Sequence, residues 1–517
     1  MANIYICCDG TWQSEDREQD GVPILSNVRK LFNAVDTADS NGDKQKSYYH
    51  PGVGTEGGPL KQALGGGTGL GLRDNVKSAY KWLATKYDPG DRIYLFGYSR
   101  GAYTVRSLCG MIAACGLIDL RGFDVDHDKL WERVDTLFNK YRRKNFKKKL
   151  LADSDFHHTQ QGEDPAGKTP IHFLGVWDTV GALGIPDHLG ILNILDRPNI
   201  YAFHDTELSS IVKHARHAIA IDEMRESFTP TLWSKIHDGT DAKEMWFAGV
   251  HGDIGGGYSE PDSGLANTAL KWMIDESAAS GLQFKTTMVD RIDDNAHGTR
   301  HDSVSGVFKA LRTRPRNVPG IHDENNVSLF HSSVFARRND PPITDPEYFP
   351  SRSLAVGEKD AWTVFARPHW NSTGLHVKSG ERYAITAHGQ WLDGTIETGA
   401  RGTRDGHFQF GEIFQLFSSG VGQVERLFKA VSGNDQADFW YTKREEKFPW
   451  FALIGVISNG QGTDNDGNPN QHQTFLIGES VTLDPTADGY LYCFANDAWH
   501  TYHNNKGSVT MTIERII

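Results

Sequence analysis

Arg92-Ile-Tyr-Leu-Phe-Gly-Tyr-Ser-Arg-Gly-Ala102 reads as strand, tight turn and helix in quick succession. Arg92 to Phe96 has strand character. Gly97-Tyr98-Ser99-Arg100-Gly101 is the turn, and Ala102, Val105, Leu108 and Ile112 then recur at helical spacing. A Gly-x-Ser-x-Gly pattern carries chemistry only in that setting. The turn forces the serine into a strained backbone conformation, and the flanking glycines leave room where strand and helix crowd together. The helix start after Ser99 offers backbone N–H groups and a positive dipole end to a developing oxyanion. The plain alternative is a glycine-rich strand–helix turn with a surface serine.

Working outward, other strand-like runs end in polar turns. Asn3 to Cys8 ends in Asp9-Gly10-Thr11-Trp12. Ile171 to Trp177 ends in Asp178-Thr179-Val180-Gly181, and Met245 to Val250 ends in His251-Gly252-Asp253. Helical segments are expected between them, including Val76 to Tyr87, His204 to Ala220 and Leu265 to Ser280. Strands alternating with helices give a mostly parallel α/β sheet, whose functional loops gather at the carboxyl ends of its strands. Serine, aspartate and histidine then follow in the chain order of an α/β-hydrolase. Serine needs a base, and the base needs a third group to fix its tautomer and stabilise its cation. Ser99, His251 and Asp178 fit those roles. Asp253, two residues beyond His251, and Asp205 are rival acids. The backbone N–H of Arg100 is the first oxyanion donor, and Gly10-Thr11 is the candidate second. The glycine-rich run Gly52 to Gly71 lacks the Gly-Lys-Ser/Thr ending of a phosphate loop and reads as a loop beside the site.

From about Ser351 the pattern changes to short alternating segments separated by Gly, Asn and Asp turns: Gly374 to Val377, Tyr383 to Ala387, Phe451 to Ile457, Gln473 to Ile477, Gly489 to Phe494 and Val509 to Ile513. That is a β-sandwich pattern. The reading is a catalytic domain over 1–345, a proline-containing linker over 346–357, and a second domain over 358–517. Near the end, Asp497, Thr501, Asn504 and Asn505 lie within nine residues. They form a thiol-free oxygen set of the kind calcium takes, or else a polar turn, which Asn and Asp also favour.

Composition bounds the partners. The 517 residues are 38% hydrophobic and 23% charged, with a net charge of −12, so nucleic acid is not the expected main partner. The basic run Arg142 to Lys149 is a solvated helix face or a contact with an anionic membrane surface. Five cysteines show no metal spacing and read as buried free thiols. No run is long and apolar enough for a membrane span, and the start lacks the features of a signal peptide. Synthesis in the cytoplasm is expected, with any export by a signal-peptide-independent route.

Two resemblances sharpen these readings. Cys8-Asp-Gly-Thr-Trp12, Gly97-Tyr-Ser-Arg-Gly101, Gly175-Val-Trp-Asp-Thr-Val-Gly181 and Trp246 to Tyr258 are similar to motifs of the type VI secretion lipase effectors and their broader α/β-hydrolase family, over roughly residues 1–340. The resemblance implies a Ser-Asp-His esterase that cleaves phospholipid acyl esters without a cofactor in catalysis. The stretch Asn496 to Ser508, with Gly389-Gln-Trp-Leu-Asp393-Gly394 upstream, resembles the LecA-type galactophilic lectin over about 358–517. It implies calcium held by Asp497, Thr501, Asn504, Asn505 and the carbonyl of Asp393, with Asp497 and Asn504 touching a galactose-type glycan or glycolipid. The competing expectation is a carbohydrate-binding protein whose hydrolase-like domain is inert. An amidase or acyltransferase would use the same three residues.

Overall fold

The computed structural model describes residues 2–10, 18–19, 21–39, 41–52, 70–121, 127–142, 156–157, 169–180, 206–305, 308–309, 311–344, 347–349, 351–403, 443–462, 464 and 469–517. The loop expected over 53–69, the basic run beyond Arg142, and Thr11 and Asp205 lie outside them.

The first unit is built on six strands: β1 (Asn3–Cys8), β2 (Lys46–His50), β3 (Arg92–Tyr98), β4 (Ile171–Trp177), β5 (Val212–Ala220) and β6 (Asp241–Phe247). Their order is β2-β1-β3-β4-β5-β6, and every pairing is parallel. Helices pack on both faces. Within β3, Ile93 and Leu95 face one layer, where α2 (Leu70–Lys86), α3 (Arg100–Cys115) and α4 (His127–Arg142) supply Tyr80, Leu83, Val105, Leu108 and Leu137. Tyr94, Phe96 and Tyr98 face the other, with Val28 and Leu31 of α1 (Asn27–Ala34) and Leu270 and Met273 of a later helix, Gly264–Ala279. Each such side chain contributes about 1.5–3 kcal/mol on burial.

One expected element is corrected. The helix read over His204 to Ala220 is instead strand β5 at its carboxyl half, between β4 and β6. Ala215 to Ala220 is buried throughout, so the strand shows no two-residue alternation. A central parallel strand covered on both faces loses that signal.

The second unit is all antiparallel. Its strands are β7 (Lys359–Phe365), β8 (Asn371–Val377), β9 (Tyr383–Asp393), β10 (Ile396–Gly399), β11 (Leu453–Ser458), β12 (Gln473–Leu476), β13 (Ser480–Leu483), β14 (Gly489–Ala495) and β15 (Asn505–Arg515). One sheet has the order β8-β14-β11-β12. The other runs β10-β9-β15-β7, with β13 also pairing β9. Trp391, Phe451, Leu453, Leu491, Met511 and Ile513 form their shared core. The cut between units is not a single point: Gly306–Val327, expected with the catalytic domain, packs with the second unit. There, Trp370 Nε1 donates to Thr313 Oγ1 (3.0 Å), and Lys378 pairs with Asp323 (2.7 Å).

Candidate active site

Close packing of α3 against the sheet fixes the turn. A Cβ at Gly97 would lie 2.5 Å from the Gly101 carbonyl oxygen, and one at Gly101 would collide with the Cys8 carbonyl oxygen. Only glycine fits at either position. Between them Ser99 has φ 55° and ψ −122°, a conformation that costs a non-glycine residue on the order of 1–3 kcal/mol. The Ser99 N–H donates to the Trp177 carbonyl (3.1 Å), tying the turn to the neighbouring strand end. Arg100 opens α3, so its N–H is one of the donors a helix start leaves over.

Asp178 follows β4 and is fully buried. It too has a positive φ, 39°. Its N–H donates to the Ala218 carbonyl (2.7 Å), and its Oδ1 accepts from the Ala220 N–H (3.0 Å). These bonds aim Oδ2 at His251, whose Nδ1 donates to it at 2.5 Å. Nε2 is then the ring nitrogen left to take a proton. Burial pushes the imidazole below its ordinary pKa, although the Asp178 carboxylate pulls it upward. The imidazole therefore rests neutral near pH 7. Tyr98, the residue before Ser99, lies 4.7 Å from the His251 ring and donates its hydroxyl to the His251 carbonyl (3.2 Å). Phe228 meets the same ring edge-on at 4.9 Å.

The rival acid is otherwise engaged. Asp253 Oδ1 pairs with His301 Nδ1 (2.6 Å), and its Oδ2 accepts from the N–H groups of Val250 (3.0 Å) and His301 (3.1 Å). At the end of β1, the Gly10 N–H donates to Asp9 Oδ1 (2.7 Å), while a Cβ built on Gly10 would lie 3.5 Å from Ser99 Cβ. That loop borders Ser99, but its Gly10 N–H is taken by Asp9. Asp9 Oδ2 also accepts from Ser26 Oγ (2.5 Å) and the Tyr49 hydroxyl (2.8 Å). Burial raises its carboxyl to about 6 against those three donors.

Sequence reasoning missed Glu223 and its partners. Glu223 is fully buried beyond β5 and accepts the His251 N–H (3.2 Å). Arg225 holds it through Nε (3.0 Å) and Nη2 (2.8 Å), and the guanidinium lies 3.5 Å over the Phe228 ring. No local motif marks these residues, because the bonds that tie Glu223 to His251 and Ser303 come from separate loops.

In the second unit, Asp393 ends β9 opposite Asn505 of β15, and Asn504 Nδ2 donates to Asp393 Oδ1 (2.9 Å). Thr501 Oγ1 donates to the Ala498 carbonyl (2.8 Å), and the Ala498 N–H donates to Asp497 Oδ1 (2.7 Å). The side-chain oxygens Asn504 Oδ1 and Asn505 Oδ1 are buried without a hydrogen-bond partner. Buried amide oxygens without a hydrogen-bond donor are chemically suited to a hard cation. Among the described residues, no helix is long and apolar enough to cross a membrane.

A parallel sheet with helices on both faces, a strained serine at a strand–helix turn and a buried histidine–aspartate couple bridging the carboxyl ends of β4 and β6 define an α/β fold of hydrolase type. Residues 2–276, more than half of the chain, match the model of the catalytic domain of Tle1-like type VI secretion phospholipase effectors, and the chain belongs to that family. The uncharacterised protein YEL023C of Saccharomyces cerevisiae is 32% identical over 243 residues, which are 44% of this chain and 32% of that one. The chain thus spans about a third of that relative's length. A solved Tle1 effector bound to the VgrG spike of the type VI secretion system is 19% identical, covering 51% of this chain and 53% of that one at a TM-score of 0.31. A structure titled EclA N-terminal domain, a PllA-like lectin, is 16% identical over 30% of this chain and 94% of its own, at a TM-score of 0.19. Those scores leave the fold resting on the strand order given above.

Proposed function

We propose that the chain is a serine esterase that hydrolyses phospholipid acyl esters through an acyl-enzyme. The observation carrying this reading is the buried His251–Asp178 couple at 2.5 Å, its imidazole 4.7 Å from the ring of Tyr98, the residue before a serine held at φ 55°. His251 Nε2 takes the Ser99 Oγ proton as Oγ attacks the acyl carbonyl, and Asp178 stabilises the imidazolium that results. The tetrahedral oxygen is held by the Arg100 N–H. The loop after β1, Gly10-Thr11, remains the candidate for a second donor. Nε2 then returns its proton to the leaving alcohol, and water releases the fatty acid by the same route. The family supports a phospholipid substrate, and the negative charge of the chain argues against nucleic acid. The test is fatty-acid release from phospholipid vesicles by the full chain. Ser99→Ala should lose roughly 10⁴-fold or more. An active Ser99→Ala protein would overturn the triad. Failure of a fluorophosphonate to label Ser99 in a wild-type protein that binds glycans would favour an inert hydrolase-like domain instead.

A second reading concerns the C-terminal unit, and the partnerless oxygens of Asn504 and Asn505 favour it. Asp497, Thr501, Asn504, Asn505 and the Asp393 carbonyl bind calcium. The hydroxyls of a galactose-type sugar complete the shell against Asp497 and Asn504, targeting the esterase to a glycan or glycolipid. Titration of the full chain with a galactoside, with and without calcium, checks it. Sugar binding indifferent to calcium would remove the metal from the reading.

A further inference from the structure

His251 opens a short helix, His251–Gly255, whose N-cap residue is Val250. Valine has no acceptor for the amides that a helix start leaves over, so they must be satisfied from elsewhere. The Val250 N–H goes to Asp253 Oδ2 (3.0 Å) and the His251 N–H to Glu223 Oε2 (3.2 Å). Both carboxylates are buried, with Asp253 1% exposed and Glu223 0%. One tripeptide, His301-Asp302-Ser303, bonds both of them, adding on Glu223 to the hold of Arg225. His301 donates its Nδ1–H (2.6 Å) and its N–H (3.1 Å) to Asp253, and Ser303 Oγ donates to Glu223 Oε1 (2.9 Å). The Tyr258 ring lies flat on the His301 imidazole at 3.5 Å, which fixes its plane. The tripeptide is anchored upstream, where Asn295 N donates to the Gly264 carbonyl (3.1 Å) and Arg337 Nη1 to the carbonyls of Ala296 (2.9 Å) and Gly298 (2.8 Å).

We propose that His301 and Ser303 are positioning residues for the general base: through Asp253 and Glu223 they clamp the two consecutive peptide N–H groups, of Val250 and His251, that lead into the His251 side chain. This rests on the reading of His251 as the base of a Ser99 esterase. The side chain of His251 is held by Asp178 and its carbonyl by Tyr98. The remaining freedom is a tilt of the peptide, which would swing Nε2 relative to Ser99 Oγ. A misplacement of about 1 Å in a reacting group costs on the order of 10²-fold in rate. The clamp therefore acts on the chemical step and not on substrate binding.

The experiment measures kcat and KM of the full chain on a soluble short-chain p-nitrophenyl ester, with the rate of fluorophosphonate labelling of Ser99 alongside. In the double variant His301→Ala/Ser303→Ala, kcat and labelling should fall together by about 10- to 100-fold, with KM within about twofold. His301→Asn keeps a donor at the Nδ1 position and Ser303→Thr keeps the hydroxyl, so each single variant should stay near wild type in kcat. A wild-type kcat in the double variant, with Ser99→Ala inactive in the same assay, overturns the clamp and leaves the triad standing. So does a loss that the conservative variants share, since that would mark a general packing role. An active Ser99→Ala protein fails the triad reading itself, whatever the double variant does.

Discussion

At the scale of the residue, two buried titrating groups of the candidate site, His251 and Asp9, pull in opposite directions with pH. Burial depresses the His251 pKa. The unfolded chain takes up that proton from about 6.5 downward while the folded chain resists it, so the contribution of His251 to stability is present above that value and is lost as pH falls through the lower native one. Activity follows the same group: kcat/KM on a soluble ester should rise with pH through a midpoint below about 6.5. A midpoint at or above that value would mean another group sets the limb. Asp9 is raised to about 6, so its contribution is full below the unfolded carboxyl value and is lost as pH rises through about 6. Measured against Asp9→Asn, the wild-type protein should lose on the order of 3 kcal/mol between about pH 4 and 7, read from urea titrations at both. A pH-independent difference would show a carboxylate ionised throughout that range. Among the acids, Asp178→Asn should be severe, because it spoils the tautomer and charge that His251 needs, and His251→Ala should approach Ser99→Ala. The placement of Ser99, Asp178 and His251 just beyond strand ends was legible because each strand stops in a distinctive turn. Glu223, Ser303 and the partners of Asp9 were not, because their roles are created by loops meeting in space and leave no spacing to read.

At the scale of the element, the strand–turn–helix β3–α3 carries the backbone strain at Ser99, and its stability depends on bare backbone contact. Gly101→Ala would drive a methyl into the Cys8 carbonyl at the end of β1, so α3 must lift away. We expect a loss of about 1–3 kcal/mol, the usual cost of overpacking. The loss in kcat should be larger than that stability change implies, because Ser99 moves with the helix. Thermal melts and ester kinetics on the same preparation check this, and unchanged values in both would refute the close approach. Leu108→Ala, on the sheet-facing side of α3, should cost about 2–5 kcal/mol through the cavity it leaves. The β3–α3 unit was readable because its period switches from strand to helix within a few residues. Strand β5 was not, since Ala215 to Ala220 is buried on both faces and small apolar residues suit a helix equally well. The strands of the second unit were mostly found because their exposed faces keep the alternation, as in β9, where Tyr383, Ile385 and Ala387 are buried between less buried neighbours.

At the scale of the whole molecule, prolines and a change of period drew one boundary near residues 346–357, whereas the chain enters its second unit earlier, at Gly306–Val327. That segment has no periodicity, and it is held by single contacts such as the Ile321 N–H on the Tyr490 hydroxyl (3.1 Å), which sequence patterns do not encode. The calcium reading makes a prediction at this scale, because a ligand that binds only the folded form stabilises it by mass action. At one hundred times its dissociation constant the gain is about 2.7 kcal/mol. Calcium added to the full chain should therefore raise a calorimetric unfolding transition, and a chelator should bring it back down. The Ser99→Ala protein should respond as wild type does, since its change lies in the other unit. Asp497→Ala should not respond, because Asp497 supplies the main anionic ligand and the two asparagines and the threonine bring no charge. Magnesium should give a smaller shift, because it demands near-octahedral geometry and parts reluctantly with its water, whereas calcium accepts an irregular set of carbonyl, amide and carboxylate oxygens. If calcium moves no transition in the wild-type chain, Asp497 to Asn505 is a polar turn whose amide oxygens must be served by water, and the lectin-like half of the reading falls with it.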